Sequence, residues 1–203
     1  MEIFHTETLI AIIKAAGYIG LFGIIFAESG ILLGFFLPGD SLLFTAGFLA
    51  SQGFLNLPIL IIATAVAAIT GDSVGYLFGL KVGRKLFKRK NSRFFHKENL
   101  IKAEKFYKKH GAKTIVLARF MPFVRTFAPI VAGVSKMHYK TFVSYNIIGG
   151  MLWTLTLPTL GFYLGRSIPD VDKYLLPIIF LIVFVSASPI IINFIKQKIK
   201  PKK

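Results

Sequence analysis

Apolar residues run through this chain in long blocks, not in the narrow stripes of a soluble fold. Residues 8–27, 57–80, 140–165 and 174–195 each match the roughly 20 helical residues that cross a bilayer's hydrocarbon core, and predict four transmembrane helices. Residues 41–71, 141–165 and 174–195 hold no charged side chain. Two further apolar stretches are broken. Residues 28–50 contain Gly30, Gly34, Pro38 and Gly39 and read as two short pieces joined at Pro38–Gly39. Residues 114–136 are interrupted by Pro122 and Pro129. Each piece is too short to span, so each stretch predicts a re-entrant helical hairpin that enters and leaves on one side. The polar segment 81–113 contains KENLIKAEKFYKKH, in which Leu100, Ile101, Ala103, Phe106 and Tyr107 share a helical face. Glu98–Lys102 and Glu104–Lys108 are i,i+4 pairs in that amphipathic helix. A place on the membrane surface and a solvated connection are equally open to it.

Composition narrows the class. Of 203 residues, 54% are hydrophobic and 17% charged, against about a quarter charged in soluble domains. That excludes a disordered chain and leaves a soluble enzyme a poor fit. The reading is an all-α integral membrane protein of one domain, residues 1–203. Cysteine is absent, which excludes disulfides, thiolate nucleophiles and Cys-ligated metals. The first ten residues lack the basic start and cleavage site of a signal peptide, so the first apolar segment is expected to stay as an anchor.

The net charge of +16 is uneven: −4 over residues 1–80, +11 over 81–113 and +9 over 114–203. The basic blocks flank apolar segments, so they speak for topology and for anionic headgroups, not for nucleic acid. Placing the loop 81–113 and the basic tail 196–203 in the cytoplasm puts both termini inside. The first hairpin then enters from the outer face and the second from the inner face, the layout of an inverted repeat. Two matches share one offset: Ala46–Gly47 with Ala132–Gly133, and GYLFG (Gly75–Gly79) with GFYLG (Gly161–Gly165), each 86 positions apart.

Four ionisable residues lie within or beside the broken segments: Glu28, Asp40, Arg119 and Arg125. An unpaired charge at mid-bilayer costs about 3 kcal/mol by insertion scales. If the hairpin tips meet, the acids and the arginines neutralise one another and build a polar site. Singly, each has a plainer reading: Asp40 as a helix cap, Glu28 at the interface, the arginines snorkelling to headgroups. Asp72 is open to pairing with Arg84 or to a role in the core. Asn146 reads as an interhelical hydrogen bond worth about 1 kcal/mol. Trp153 reads as an ordinary core or interface residue. The row Gly71, Gly75, Gly79, Gly83 lies on one face, equally open to internal packing and to a homo-oligomer. The four histidines show no metal-ligand spacing, and GxSxG, HExxH and Walker motifs are missing. No catalytic residue, metal or cofactor is therefore expected, and the chain reads as a non-enzyme.

FAESG, FLPGDSLLFTAG, GDSVGYLFGLKVG and ARFMPFVRTFAPIVAGVSKMHYKTFVSYNIIGGMLW together resemble the DedA family of bacterial membrane proteins. That family shares its core with the VTT-domain lipid scramblases. The likeness covers roughly residues 15–165 and is most specific from Arg119 to Trp153. It implies a pair of membrane-embedded acids, falling here on Glu28 and Asp40, and two essential arginines, falling here on Arg119 and Arg125. It also implies a multi-pass protein of the inner (plasma) membrane that moves undecaprenyl phosphate or a related anionic lipid. Such a lipid needs a polar path for its head while its tail stays in the bilayer. Arg119 and Arg125 suit phosphate binding through bidentate charge-assisted bonds. Glu28 and Asp40 would hold the arginines meanwhile and release them on protonation, which couples protons to lipid. Gly39, Pro122, Asp72 and Asn146 are expected to support that site. A passive phospholipid scramblase and a proton-coupled transporter of small ions or solutes are the competing readings. An enzyme acting on lipid phosphates is disfavoured because no nucleophile–base–metal set is present.

Overall fold

The computed structural model describes residues 6–31, 39–83, 107 and 109–167. The expected span 174–195, the tail 196–203, Pro38, Arg84 and nearly all of the loop with its amphipathic helix lie outside the described residues. Within them the chain is all-helical, with no strand. Helix α1 covers Thr6–Gly30, α2 Gly39–Ser51 and α3 Leu57–Phe78, which passes into a π-helical turn at Gly79–Gly83. Then come α4 (Lys113–Arg119), α5 (Pro122–Val134) and α6 (Tyr139–Ser167).

Local chemistry sets the boundaries. Gly53, at φ +80°, turns the chain after α2. Asn56 then caps α3, its side chain accepting from the Ile59 N–H at 3.2 Å, with Pro58 in the first turn. The chain breaks between α4 and α5 at Phe120–Met121, directly before Pro122, where a proline starts a helix well. The second break expected at Pro129 is not there: Pro129 sits inside α5, its ring fully buried. The helix tolerates it, at the loss of the backbone hydrogen bond to the Arg125 carbonyl one turn earlier. Helix α1 runs on through Glu28 and Ser29 to Gly30, so Glu28 belongs to the end of the first helix.

Two described helical runs are long and apolar enough to cross a membrane, Leu57–Val82 and Tyr139–Ser167. At 1.5 Å per residue each is roughly 40 Å long. Ile59, Ile62 and Val66 on α3, and Ile148, Met151 and Leu155 on α6, point outward, as a lipid solvent demands. Hydroxyls on these helices bond to their own backbone. Thr70 donates to the Val66 carbonyl at 2.6 Å and Thr156 to the Leu152 carbonyl at 2.6 Å, so these two exposed hydroxyls are satisfied within their own helices.

Helix α3 packs on α1, α5 and α6, while α2 lies mainly on α6. Small residues set these approaches, because packing rather than hydrophobic transfer holds helices together in lipid. A Cβ at Gly71 would come within 2.7 Å of the Phe26 carbonyl, where α1 crosses α3. At the α2–α6 crossing, Gly47 faces the Pro158 carbonyl and Gly161 faces the Phe44 carbonyl. At the α3–α5 crossing, Gly133 faces the Tyr76 carbonyl and Gly79 faces the Ile130 carbonyl. On each helix the two residues involved are three apart. Phe44 and Gly47 match Ile130 and Gly133 at the offset of 86 read from the sequence. On the long helices the matching residues are Tyr76 and Gly79 with Pro158 and Gly161, 82 apart. The pairing of GYLFG with GFYLG is therefore off by one helical turn. Glycine spacing of four fits both registers, and only the facing carbonyls choose between them.

Gly161→Ala drives a methyl into the Phe44 carbonyl and should cost about 1–3 kcal/mol of stability, read as a lowered thermal midpoint in detergent. Gly20→Ala, where a Cβ meets nothing within 4 Å, should leave the midpoint unchanged or raise it slightly.

Candidate functional site

The charged residues inside the helical body form two clusters. In the first, Arg125 occupies the opening turn of α5. A cation there opposes the positive end of the helix dipole, so it needs carboxylates close by. Two are supplied. Glu28 from α1 forms an ion pair with the guanidinium, and Asp40 from the first turn of α2 accepts from Arg125 Nη1 at 2.7 Å. Glu28 is 2% exposed, and its Oε1 also accepts the Gly39 N–H at 3.2 Å. A Cβ at Gly39 would collide with that carboxylate, so a larger residue there would displace Glu28 from its present position. Glu28 Oε2 is buried without a hydrogen-bond partner. The Asp40 side chain is by contrast 44% exposed.

In the second cluster, Arg119 ends α4, where the dipole favours a cation. It pairs with Asp72 of α3 and donates to Asn146 Oδ1 of α6 at 2.6 Å. Asn146, fully buried, passes its own amide hydrogen to the Ile69 carbonyl at 3.0 Å, so it ties α6 to α3 as well. Every polar partner here is satisfied, as a buried ion pair requires.

Trp153 of α6 joins the clusters. Its indole N–H donates to Asp40 Oδ1 at 2.8 Å. Its ring lies 4.9 Å from the Arg125 guanidinium and 5.7 Å from that of Arg119, both within cation–π range. Its other side packs into the core with Ile25, Leu43, Ala67 and Ala68. A cavity of about 10 Å³, close to the size of one water, lies among Ser29, Asp72, Arg119, Arg125, Pro129 and Trp153.

Glu28, Asp40, Gly39 and Arg125 therefore meet, and Arg119 stands apart from the two acids expected to hold it. The single quartet gives way to two ion-paired groups, because the carboxylate lying against Arg119 is Asp72 of α3. The partner considered for Asp72, Arg84, lies outside the described residues, and Arg119 occupies its carboxylate. Pro122 contributes the start of α5, one turn before Arg125. Trp153 is a polar participant and not only a core residue. Nothing in its sequence neighbourhood signals that, since its partner Asp40 lies 113 positions away. Asp72 was expected as a supporting residue, and what the sequence did not show was that its partner is Arg119. The set holds three carboxylates and two guanidiniums, so it carries one negative charge when all are ionised. Among the described residues no group of His, Asp or Glu could hold a metal ion. What the arrangement offers is guanidinium and indole N–H donors whose present acceptors are carboxylate oxygens. An oxyanion of similar geometry satisfies the same donors.

Comparison with known proteins places the chain. The VTT domain matches residues 37–167, which include every residue of both clusters except Glu28. The chain is 45% identical over 196 residues to Protein DedA of Escherichia coli K12, covering 96% of this chain and 89% of that protein. It is 46% identical over 169 residues to an uncharacterized membrane protein of Mycobacterium leprae, covering 83% of this chain and 75% of the relative. Inner membrane protein YqjA of Escherichia coli K12 is 34% identical over 184 residues, covering 86% and 83% of the two chains. No solved structure matches. A VTT domain over most of the length, with helices fit to cross a bilayer and relatives of this closeness, means that the chain belongs to the DedA family of membrane proteins.

Proposed function

We propose that this protein moves an anionic phosphate lipid, undecaprenyl phosphate or a related carrier, across the inner membrane, and that protons accompany the lipid. The observation that carries the reading is the burial of Arg119 and Arg125 beside carboxylates where all six described helices converge. A structural ion pair in a membrane core is commonly replaceable by apolar side chains at no loss of stability. Two such pairs around a shared indole and cavity make sense as groups that exchange partners. Arginine suits the task, since its planar fork binds phosphate oxygens in pairs and stays charged.

The architecture supports a path for the headgroup. Helix α2 has 13 residues, α4 seven and α5 13, each short of a full crossing. That favours half-membrane hairpins whose inner ends carry Asp40, Arg119 and Arg125. The matched glycine contacts of α2 on α6 and of α5 on α3 favour an inverted repeat, and the basic segments 81–113 and 196–203 favour cytoplasmic N- and C-termini. Coupling to protons is favoured by the surplus carboxylate. Three acids facing two arginines leave room for one proton before any ligand arrives. Glu28 Oε2, buried and unpaired, is the natural position for it.

Three outcomes test this. Arg125→Ala in reconstituted vesicles should lower the rate of lipid-phosphate translocation at least tenfold; wild-type rates in that variant would sink the proposal. Asp72→Leu alone leaves Arg119 buried and unpaired and should cost about 3–5 kcal/mol. Adding Arg119→Met should restore the thermal midpoint yet leave translocation lost; a double variant that still transports would assign the pair to folding alone. Finally, a pH gradient across the vesicle should change the final lipid distribution, whereas a passive scramblase reaches the same even distribution with or without it.

A further inference from the structure

Three carboxylates face the two arginines, and they are not equivalent. Glu28, on α1, is 2% exposed and accepts the Gly39 N–H. Asp72 is 7% exposed and paired with Arg119. Asp40 alone of the three is open, with 44% of its side chain exposed. Its Oδ1 lies where two donors converge, Arg125 Nη1 at 2.7 Å and Trp153 Nε1 at 2.8 Å. Both donors are themselves buried and fixed. The Arg125 side chain is 12% exposed and anchored by Glu28, and Trp153 is 2% exposed and set in the core.

From this geometry we infer that Asp40 Oδ1 occupies a phosphate-oxygen site, and that Trp153, through its indole N–H, is a binding residue for the lipid headgroup. The inference rests on the lipid-translocation reading and names a ligand within it. Turning one exposed carboxylate aside leaves a guanidinium N–H and an indole N–H aimed at one point, with Glu28 still holding Arg125. An oxygen of a lipid phosphate satisfies both donors as Asp40 did. No buried donor is left bare during the exchange, which is the costly event in a low-dielectric site. Charge is conserved as well. Asp40 withdraws one negative charge and a monoanionic phosphate returns it. A phosphate monoester near neutral pH carries between one and two charges, so it brings in part of a proton's worth of extra negative charge. That surplus calls for protonation within the cluster, which ties proton uptake to monoesters rather than diesters.

The chain's single tryptophan makes the test direct, since all indole fluorescence comes from Trp153. The full-length protein in phosphatidylcholine vesicles is titrated with phosphatidic acid, a lipid phosphate monoester. A saturable change in Trp153 emission is expected, absent in Arg125→Ala. Asp40→Ala removes the competing carboxylate and should move the response to about tenfold lower phosphatidic acid. Trp153→Phe keeps a ring but loses the donor, and binding of radiolabelled phosphatidic acid should weaken about tenfold, the loss of one charge-assisted hydrogen bond. Should Trp153→Phe fail to fold, the wild-type and Asp40→Ala titrations still decide. Flat emission in the wild type, an unshifted response in Asp40→Ala, or unchanged binding by a folded Trp153→Phe each overturns the assignment. Inorganic phosphate should have no effect at matched concentration; an equal response to it would overturn the lipid as the ligand. Lipid movement with flat Trp153 emission removes this site and leaves translocation standing. An emission change without lipid movement removes translocation and leaves the site.

Discussion

Arg125 is a permanently charged side chain enclosed by apolar helices, and the rest of the interior is arranged around that fact. Taking a guanidinium out of water costs several kcal/mol unless acceptors surround it. The acceptors come from α1 and α2, through Glu28 and Asp40, and the ring above it comes from α6. The same requirement recurs at Arg119, answered by α3 and α6 through Asp72 and Asn146. The helices are thus positioned twice over, by glycine contacts along their flanks and by ion pairs at their meeting point.

These two constraints act on different scales. Glycine against a carbonyl fixes how closely two helices approach, because no side chain can intervene. Ion pairing fixes where along its axis each helix must stop, since Asp40, Arg119 and Arg125 all sit at helix ends. Helix ends carry unpaired backbone groups and partial charge, which lipid does not tolerate. Gathering these three ends with the ionised side chains confines their polar groups to one interior region. The outer faces of α3 and α6 are left to Ile, Leu, Val and Met.

Much of this was legible in the chain itself. Glu28, Asp40, Arg119 and Arg125 stand out because each interrupts an apolar block, and lipid makes such interruptions expensive. The break before Pro122 was legible for the same kind of local reason. Who pairs with whom was not legible. Arg119 meets Asp72 because α4 and α3 both pack on α6, a three-dimensional fact with no local trace. Trp153 was read as a core residue, which it is; its bond to Asp40 was not legible, because an indole N–H is invisible to hydropathy. Pro129 was misread as a break because proline's effect depends on whether neighbouring helices hold the turn in place.

The crossing of α2 on α6 has a consequence for how the molecule is made. The acceptor Asp40 finds Arg125 only 85 residues later and Trp153 only 113 residues later. At a synthesis rate of about 5–20 residues per second, α2 waits roughly 6–23 seconds for the helix it lies against. Until then Gly47 lacks the helix it faces and Asp40 lacks its indole donor, and the nascent first half must be tolerated by the insertion machinery or by surrounding lipid. Completion of the polar interior is thereby tied to the arrival of the sixth helix, so a chain truncated before it lacks Asn146 and Trp153, the α6 parts of both clusters.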